Sequence, residues 1–354
     1  MLIAGGGTGG HLYPGIALAR ELQRRDPSVG VSFVGTAAGL ESRVVPREGF
    51  ALDLIRVAGL KGKSLAARLR GLALLPVSAI DAWRVLSRRR PSVVVGVGGY
   101  ASGPVLALAA VRRLPTLLLE QNALPGLTNR LLAPLVRAAA VNFEEALSYF
   151  PRTGFVAGNP VRPEFFEPAE AGAHEQKVRV LIFGGSQGAH AINMALVAAA
   201  PRLAAAADRL TITHQTGERD LTVVRGAYER AGLPARVEAF LYEMDREMKA
   251  ADLVVARAGA TTLSELAAAG RPAILVPLPT ATDDHQRKNA EAFARAGGAL
   301  VLDERGLSGE AMAEAVLGLA ADDARRRDMA IGARTLARPD SARLIAEKVQ
   351  ALAR

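Results

Sequence analysis

Three glycine-rich turns, each at a point where an apolar strand should hand over to a helix, constrain this chain more than any other feature. The first, Gly5-Gly6-Gly7-Thr8-Gly9-Gly10-His11, follows Met1-Leu2-Ile3-Ala4. The second, Gly98-Gly99-Tyr100-Ala101-Ser102-Gly103-Pro104, follows Val93-Val94-Val95-Gly96-Val97. The third, Gly184-Gly185-Ser186-Gln187-Gly188-Ala189, follows Val178-Arg179-Val180-Leu181-Ile182-Phe183. Glycine lets backbone amides approach a ligand, and a helix start adds unpaired N–H groups and the positive end of a dipole. One such turn is common in α/β proteins. Three in one chain point to ligands that carry a pyrophosphate.

The rest of the sequence repeats the strand-then-helix order. Further apolar runs lie at Val29 to Val34, Thr116 to Leu119, Ala138 to Val141, Leu210 to His214, Val237 to Phe240, Leu253 to Ala256 and Ala273 to Val276. Alternation of this kind predicts an α/β fold with parallel sheets, and continuous apolar runs suit strands covered on both faces. The first and third turns resemble one another, which predicts two doubly wound, Rossmann-like domains with ligand in a cleft at the carboxyl ends of their strands. The prolines of Gly158-Asn159-Pro160-Val161-Arg162-Pro163 mark a seam, giving domains over 1–160 and 161–339. The final stretch, about 340–354, has the spacing of a helix in Leu344, Ile345, Val349 and Leu352, and is expected to pack back on the first domain.

Composition narrows the classes. With 354 residues, half of them apolar, each domain can bury a core. The absence of cysteine excludes a disulfide scaffold, a cysteine-ligated metal and a thiol nucleophile. No charged leader with a cleavage site and no membrane-length apolar run is visible, so a cytoplasmic location is expected. The formal charge of +9 suits nucleic acid, anionic lipid or acidic substrates. Aromatic residues are few and no RNA-binding or helix-turn-helix signature stands out, so no nucleic-acid partner is expected.

Each motif has a plainer reading beside the chemical one. Gly5 to Gly10 fits G-x-G-x-x-G, but a dinucleotide site also wants an acid after the next strand. That strand ends Val34-Gly35-Thr36 and Glu41 comes late, so hydride transfer is set aside. No phosphate-binding loop of the G-x-x-x-x-G-K-[ST] type is present, since Val57 stands where its first glycine should be. His11 would sit at a strand's carboxyl end beside an anion site, where an imidazole can take a proton near neutral pH. Thr262-Leu263-Ser264-Glu265 has the form of a capping box, so Glu265 either closes a helix or binds a ribose diol. Asp283-Asp284-His285-Gln286 reads better as a polar loop before a helix than as a metal site. Leu60 to Arg90 interleaves basic residues with Leu65, Leu69, Leu72, Leu74, Leu75, Val77, Ile80 and Trp83. That stretch is either an amphipathic helix on the sheet with a solvated basic face or a surface that meets anionic lipid.

As a set, the three glycine turns together with Glu120-Gln121-Asn122, Gly126-Leu127-Thr128-Asn129, Gly158 to Arg162 and Arg257-Ala258-Gly259-Ala260-Thr261-Thr262-Leu263-Ser264-Glu265 resemble the MurG family of peptidoglycan N-acetylglucosaminyltransferases. The resemblance runs the length of the chain in one order. It implies a GT-B fold, two Rossmann-like domains facing an interdomain cleft. It implies transfer of N-acetylglucosamine from UDP-N-acetylglucosamine to the C4 hydroxyl of the muramoyl sugar of lipid I, with inversion, giving lipid II. A peripheral position on the anionic cytoplasmic face of the cell membrane follows, as do contacts with other cell-wall synthesis and division proteins. No metal or other cofactor is required in such an enzyme.

The same resemblance distributes roles. Ser186 and its amides meet the UDP phosphates, Arg162 adds positive charge, Leu241 lies against uracil and Glu265 binds the ribose. Ala260, Thr261, Thr262, Leu263 and Ser264 line the nucleotide pocket, and Gln286, with His285, contacts the sugar. Thr8, Gly9, Gly10 and Asn122 close over the donor. Gly7, His11, Gly99, Tyr100 and Ser102 receive the acceptor, with His11 the candidate base. Ala258 and His285 depart from residues found in some members, a serine and a glutamine, and are expected to tune donor binding. Rival readings are a related enzyme with another UDP-sugar or a diacylglycerol acceptor, a nucleotide-binding oxidoreductase, and a non-catalytic lipid-surface binder.

Overall fold

A computed structural model of the chain describes residues 1–57, 74–168, 177–185, 188–281 and 284–353. Contacts divide it into two units, Met1–Arg162 with Arg338–Arg354, and Pro163–Ala337. Arg162 therefore falls in the first unit.

The first unit holds β1 (Leu2–Gly5), β2 (Ser32–Gly35), β3 (Ala51–Leu54), β4 (Val94–Gly98), β5 (Thr116–Glu120), β6 (Ala138–Val141) and β7 (Gly154–Val156). Among the described residues they form one parallel sheet in the order β3-β2-β1-β4-β5-β6-β7. Every residue of β1, β4, β5 and β6 is buried, as continuous apolar runs require when helices cover both faces. One side of the core gathers Leu2, Ala4, Val94, Leu118 and Ala139 with Ala82, Leu86, Val105 and Leu106 of the covering helices. The Ser341–Ala353 helix packs on the Gly9–Arg25 helix, with Arg25 paired to Glu347 at 3.3 Å.

The second unit holds β8 (Val178–Phe183), β9 (Leu210–Gln215), β10 (Ala235–Glu238), β11 (Leu253–Ala256), β12 (Ala273–Leu275) and β13 (Ala299–Val301). They too run parallel, in the order β10-β9-β8-β11-β12-β13. Val180, Ile182, Leu253, Val255 and Ile274 meet Ile192, Leu196 and Leu203 of the His190–Ala204 helix in its core.

Strand order reverses at β1/β4 in one sheet and at β8/β11 in the other. Ligands of doubly wound sheets bind outside the carboxyl ends of the strands at such a reversal. The first and second glycine turns leave β1 and β4, the third leaves β8, and Arg257-Ala258-Gly259 leaves β11. All four segments thus lie at a reversal.

The sequence reading missed β3, β7 and β13, all edge strands of three or four residues with partial burial. An edge strand is covered less and needs no long apolar run, so it leaves little trace.

Candidate active site

At the first reversal the two glycine turns pack on each other. The Gly6 N–H donates to Gly98 O at 3.2 Å. A side chain on Gly99, whose φ is +80°, would overlap the Gly6 carbonyl, and one on Gly98 would fall 2.6 Å from His11 Nδ1. These glycines are needed so that one turn and the His11 ring can lie against the other. Thr8 is the extended N-cap of the Gly9–Arg25 helix, and its side chain makes no cap hydrogen bond. Gly7, Thr8 and Gly10 are exposed and His11 is half-buried.

Three acceptor side chains hold this end of the sheet. Glu41, 1% exposed, accepts from Gly7 N–H at 2.6 Å, Thr36 N–H at 2.7 Å and Thr36 Oγ1 at 2.9 Å. Its carboxylate fills the space that side chains on Gly6, Gly35 and Gly39 would need. Glu120 accepts from Asn122 N–H at 2.9 Å, Asn122 Nδ2 at 3.2 Å, Gly126 N–H at 3.2 Å and Asn129 Nδ2 at 2.7 Å. Gln121 Oε1 lies 3.3 Å from His11 Nδ1, while its Nε2 donates to Val97 O at 3.0 Å. The roles of Glu41, Glu120 and Gln121 escaped the sequence reading. In the sequence Glu41 stands out only as an acid too late for a dinucleotide's ribose.

Tyr100 is exposed on the second turn. Ser102, expected to receive the acceptor, is fully buried, with Oγ against the space at Gly96 and no hydrogen bond among the described residues. It is the first residue of the Ser102–Val111 helix that follows the turn. Arg162 is buried, with its guanidinium 5.0 Å from the centre of the Tyr13 ring.

In the second unit, Ser186 and Gln187 lie outside the described residues. Their turn is framed by Gly185 at φ +90° and Gly188 at φ +76°, joined by the Gly188 N–H donating to Gly185 O at 3.0 Å. A side chain on Gly188 would run into the Thr216 carbonyl. Gln215, at the end of β9, bridges two parts of the expected nucleotide pocket. Its Nε2 donates to Gly185 O at 2.9 Å, and its Oε1 accepts from Leu241 N–H at 2.8 Å. Leu241 is buried.

The capping-box reading of Glu265 fails. The helix over Ala260–Ala269 has Gly259 as its N-cap, so Thr262 lies inside the first turn and Glu265 in the second. Gly259 is extended (φ −68°, ψ 141°) and ends the turn after β11 three residues before the pattern begins. Glu265 is a buried carboxylate, 8% exposed, beside buried Ala260, Thr261 and Leu263. Ser264 Oγ donates to Ala260 O at 2.9 Å within the helix. Gln286, in the first turn of the His285–Arg295 helix, accepts from Leu278 N–H through Oε1 at 3.0 Å, which directs its amide nitrogen elsewhere. Asp283 lies outside the described residues.

A polar chain runs from exposed His190 to buried Asp220, Asn193, His214 and Tyr228. His190 Nδ1 lies 3.0 Å from both Asp220 carboxylate oxygens. Asn193 Nδ2 donates to Asp220 at 2.8 Å and to Thr216 O at 2.9 Å. Its Oδ1 therefore accepts from His214 Nε2 at 3.1 Å, and His214 Nδ1 accepts from the Tyr228 hydroxyl at 2.9 Å. Burial pushes the His214 imidazole down to about 3 and the Tyr228 phenol up.

Part of the basic stretch Leu60 to Arg90 lies outside the described residues. The rest forms the Leu75–Arg89 helix, which buries Ser78, Ala82, Val85 and Leu86 and exposes Leu75, Ile80 and Trp83. Arg112 stacks on Trp83 at 4.8 Å. Arg88 and Arg89 both pair with buried Asp53 while Arg88 stays 66% exposed, so part of the solvated basic face is tied to β3. No helix among the described residues is long and apolar enough to cross a membrane.

The chain matches known proteins over its whole length. The glycosyltransferase family 28 N-terminal domain matches residues 1–141, and the family 28 C-terminal domain matches residues 179–345. A protein of Anaeromyxobacter sp. (strain K), named UDP-N-acetylglucosamine–N-acetylmuramyl-(pentapeptide) pyrophosphoryl-undecaprenol N-acetylglucosamine transferase, is 49% identical over 100% of this chain and 93% of its own. A protein of the same name from Myxococcus xanthus is 49% identical over 84% of this chain and 78% of its own. The crystal structure of Acinetobacter baumannii MurG superposes with a TM-score of 0.73 at 30% identity, covering 99% of this chain and 98% of that one.

Proposed function

The chain belongs to glycosyltransferase family 28, and from that premise we propose that it moves N-acetylglucosamine from UDP-N-acetylglucosamine to the C4 hydroxyl of the muramoyl sugar of lipid I, forming lipid II with inversion at C1. The relatives that carry this activity in their names are about half identical to it. The observation that supports the site assignment is that the third glycine turn leaves β8 and the helix with buried Glu265 follows β11, two strands that pair at the reversal. A glycine turn at one strand end and a buried carboxylate after the neighbouring strand suit a nucleoside diphosphate.

In this reading Glu265 accepts the ribose hydroxyls, Leu241 backs the uracil, and Ala260, Thr261, Thr262, Leu263 and Ser264 shape the pocket. Ser186 and the amides of its turn meet the phosphates. Gln286 and His285 contact the sugar, and Thr8, Gly9, Gly10, Asn122 and Arg162 add donor contacts. As UDP departs, negative charge builds on its diphosphate. Oriented amides and a guanidinium stabilise that charge, so the reaction requires no metal.

His11 with the turns holding Gly7, Gly99 and Tyr100 receives the acceptor, and His11 takes the C4 proton. The Gly7 N–H is already committed to Glu41. Gly7 therefore shapes the acceptor site, and other groups meet the acceptor's charge.

The acceptor's polyprenyl tail requires a membrane, and the exposed Leu75, Ile80 and Trp83 beside Arg84 and Arg112 form a surface that suits anionic lipid. A peripheral place on the cytoplasmic face of the membrane follows. So does work alongside other cell-wall synthesis and division proteins.

Purified protein is expected to release UDP from UDP-N-acetylglucosamine only when a lipid I analogue is present. Faster turnover of UDP-glucose under the same conditions would refute the donor assignment. His11→Ala should lower turnover far more than it weakens UDP binding; equal losses would remove His11 from the role of base.

A further inference from the structure

We infer that Gln121 is a positioning residue that fixes which nitrogen of His11 carries a proton, and so makes Nε2 the nitrogen that takes the acceptor's proton. The inference rests on the reading of His11 as base.

The argument begins with Val97. Its carbonyl oxygen can only accept, so the Gln121 group 3.0 Å away must be the amide nitrogen. That fixes the orientation of a side chain only 3% exposed. The other end of the amide, Oε1, then faces His11 Nδ1 at 3.3 Å. An amide oxygen only accepts, so Nδ1 must donate and the neutral ring's lone pair lies on Nε2. The ring lies over Gly98, where a side chain would collide with Nδ1 and Cε1. The second turn's missing side chain and the Gln121 amide thus fix, respectively, the place and the protonation of one imidazole.

The chemistry balances with this assignment. As the acceptor's C4 oxygen forms its bond to the donor's C1, the C1–oxygen bond to UDP breaks and its electron pair leaves with the diphosphate. The C4 O–H bond breaks and its proton passes to the Nε2 lone pair. The resulting imidazolium keeps its Nδ1–H on Gln121 Oε1, an acceptor that suits the cation. Solvent then removes the proton. With the other tautomer, Nε2 already carries hydrogen and cannot accept.

The test is the tautomer itself. In full-length protein labelled with 15N at histidine, with the His11 signals assigned by their loss in His11→Ala, neutral His11 is expected to show a protonated Nδ1 and a bare Nε2. A protonated Nε2 overturns the proposal. Gln121→Met keeps the volume and removes the acceptor. It should give a mixture of tautomers and lower kcat by about fivefold to tenfold, the worth of one neutral hydrogen bond, with the donor KM unchanged. Retention of the single Nδ1–H tautomer in that variant, or an unchanged kcat, also overturns it. The underlying base reading fails separately. A wild-type ring with Nδ1–H, combined with normal turnover by His11→Ala, would remove His11 as base. Loss of turnover in His11→Ala with a wild-type Nε2–H would remove only Gln121.

Discussion

Glu41 Oε2 accepts the N–H of Gly7 at 2.6 Å, so a buried carboxylate from 34 residues along the chain holds the middle of the first glycine turn. Two more donors, both on Thr36, complete its coordination. Hydrogen bonds to a charged group are stronger than neutral ones, and removing the acceptor leaves buried donors unpaired. Glu41→Gln keeps the volume but turns an NH₂ group toward these donors. It should lower the stability of the first unit by about 2 kcal/mol and reduce kcat/KM for the acceptor by about tenfold. UDP affinity should fall much less, because the Glu41 carboxylate bonds Gly7 and Thr36, both within the first unit. Urea unfolding and steady-state kinetics with a lipid I analogue check both parts, and wild-type acceptor kinetics would deny the turn its dependence on Glu41.

The third turn offers a contrast between two glycines of similar φ. At Gly185 (φ +90°) none of the described residues lies within 4 Å of where a side chain would go, whereas a methyl at Gly188 (φ +76°) would strike the Thr216 carbonyl. Gly185→Ala should cost only the backbone penalty, about 1–2 kcal/mol. Gly188→Ala must also push the turn away from β9, and should weaken UDP binding by at least tenfold more than Gly185→Ala does. Titration calorimetry with UDP compares the two, and equal losses would show that the turn's position does not govern phosphate binding.

How much of this was visible in the sequence depended on range. Val178–Phe183 and Val94–Gly98 announced buried parallel strands because burial on both faces leaves a continuous apolar run. The edge strand Gly154–Val156 has no such requirement. Gln121 and Gln215 act across neighbouring strands, and Glu41 reaches Gly7 from the first residue of the Glu41–Arg47 helix; no periodicity marks a side chain that reaches over from another element. Local pattern also misled. Thr262 to Glu265 spell a capping box, yet Gly259 had already started the helix. Nothing in the local pattern of Arg88 and Arg89 shows that β3 brings Asp53 to them.

The N-cap of its helix is Gly259, so replacing Glu265 does not remove that cap and tests ligand binding directly. Glu265→Gln keeps the shape and removes the charge that would accept both ribose hydroxyls. Charge-assisted hydrogen bonds of this kind are worth about 1.5–3 kcal/mol, so UDP affinity should fall by about tenfold to a hundredfold. The acceptor KM should stay as in wild type. If the variant binds UDP normally while its melting temperature falls, Glu265 belongs to the core and the nucleotide must lie elsewhere.

His214 gives the second unit a predictable response to acid. Its ring is fully buried, and burial holds its pKa at about 3, well below the usual histidine value of about 6.5. The unfolded chain therefore binds a proton as pH falls through about 6.5, while the native state does not until about 3. Above this window the imidazole is neutral in both states and costs nothing. Within it, the unfolded state gains a proton and stability falls with each step toward acid, by a total on the order of several kcal/mol. His214→Gln removes the titration, at the cost of part of the link from Tyr228 to Asn193. The variant should be less stable than wild type at pH 7.5, and its urea midpoint should fall less steeply from pH 7 to pH 5. Parallel slopes for the two proteins would mean that the acid sensitivity comes from other groups and that His214 is protonated in the native state well above pH 3.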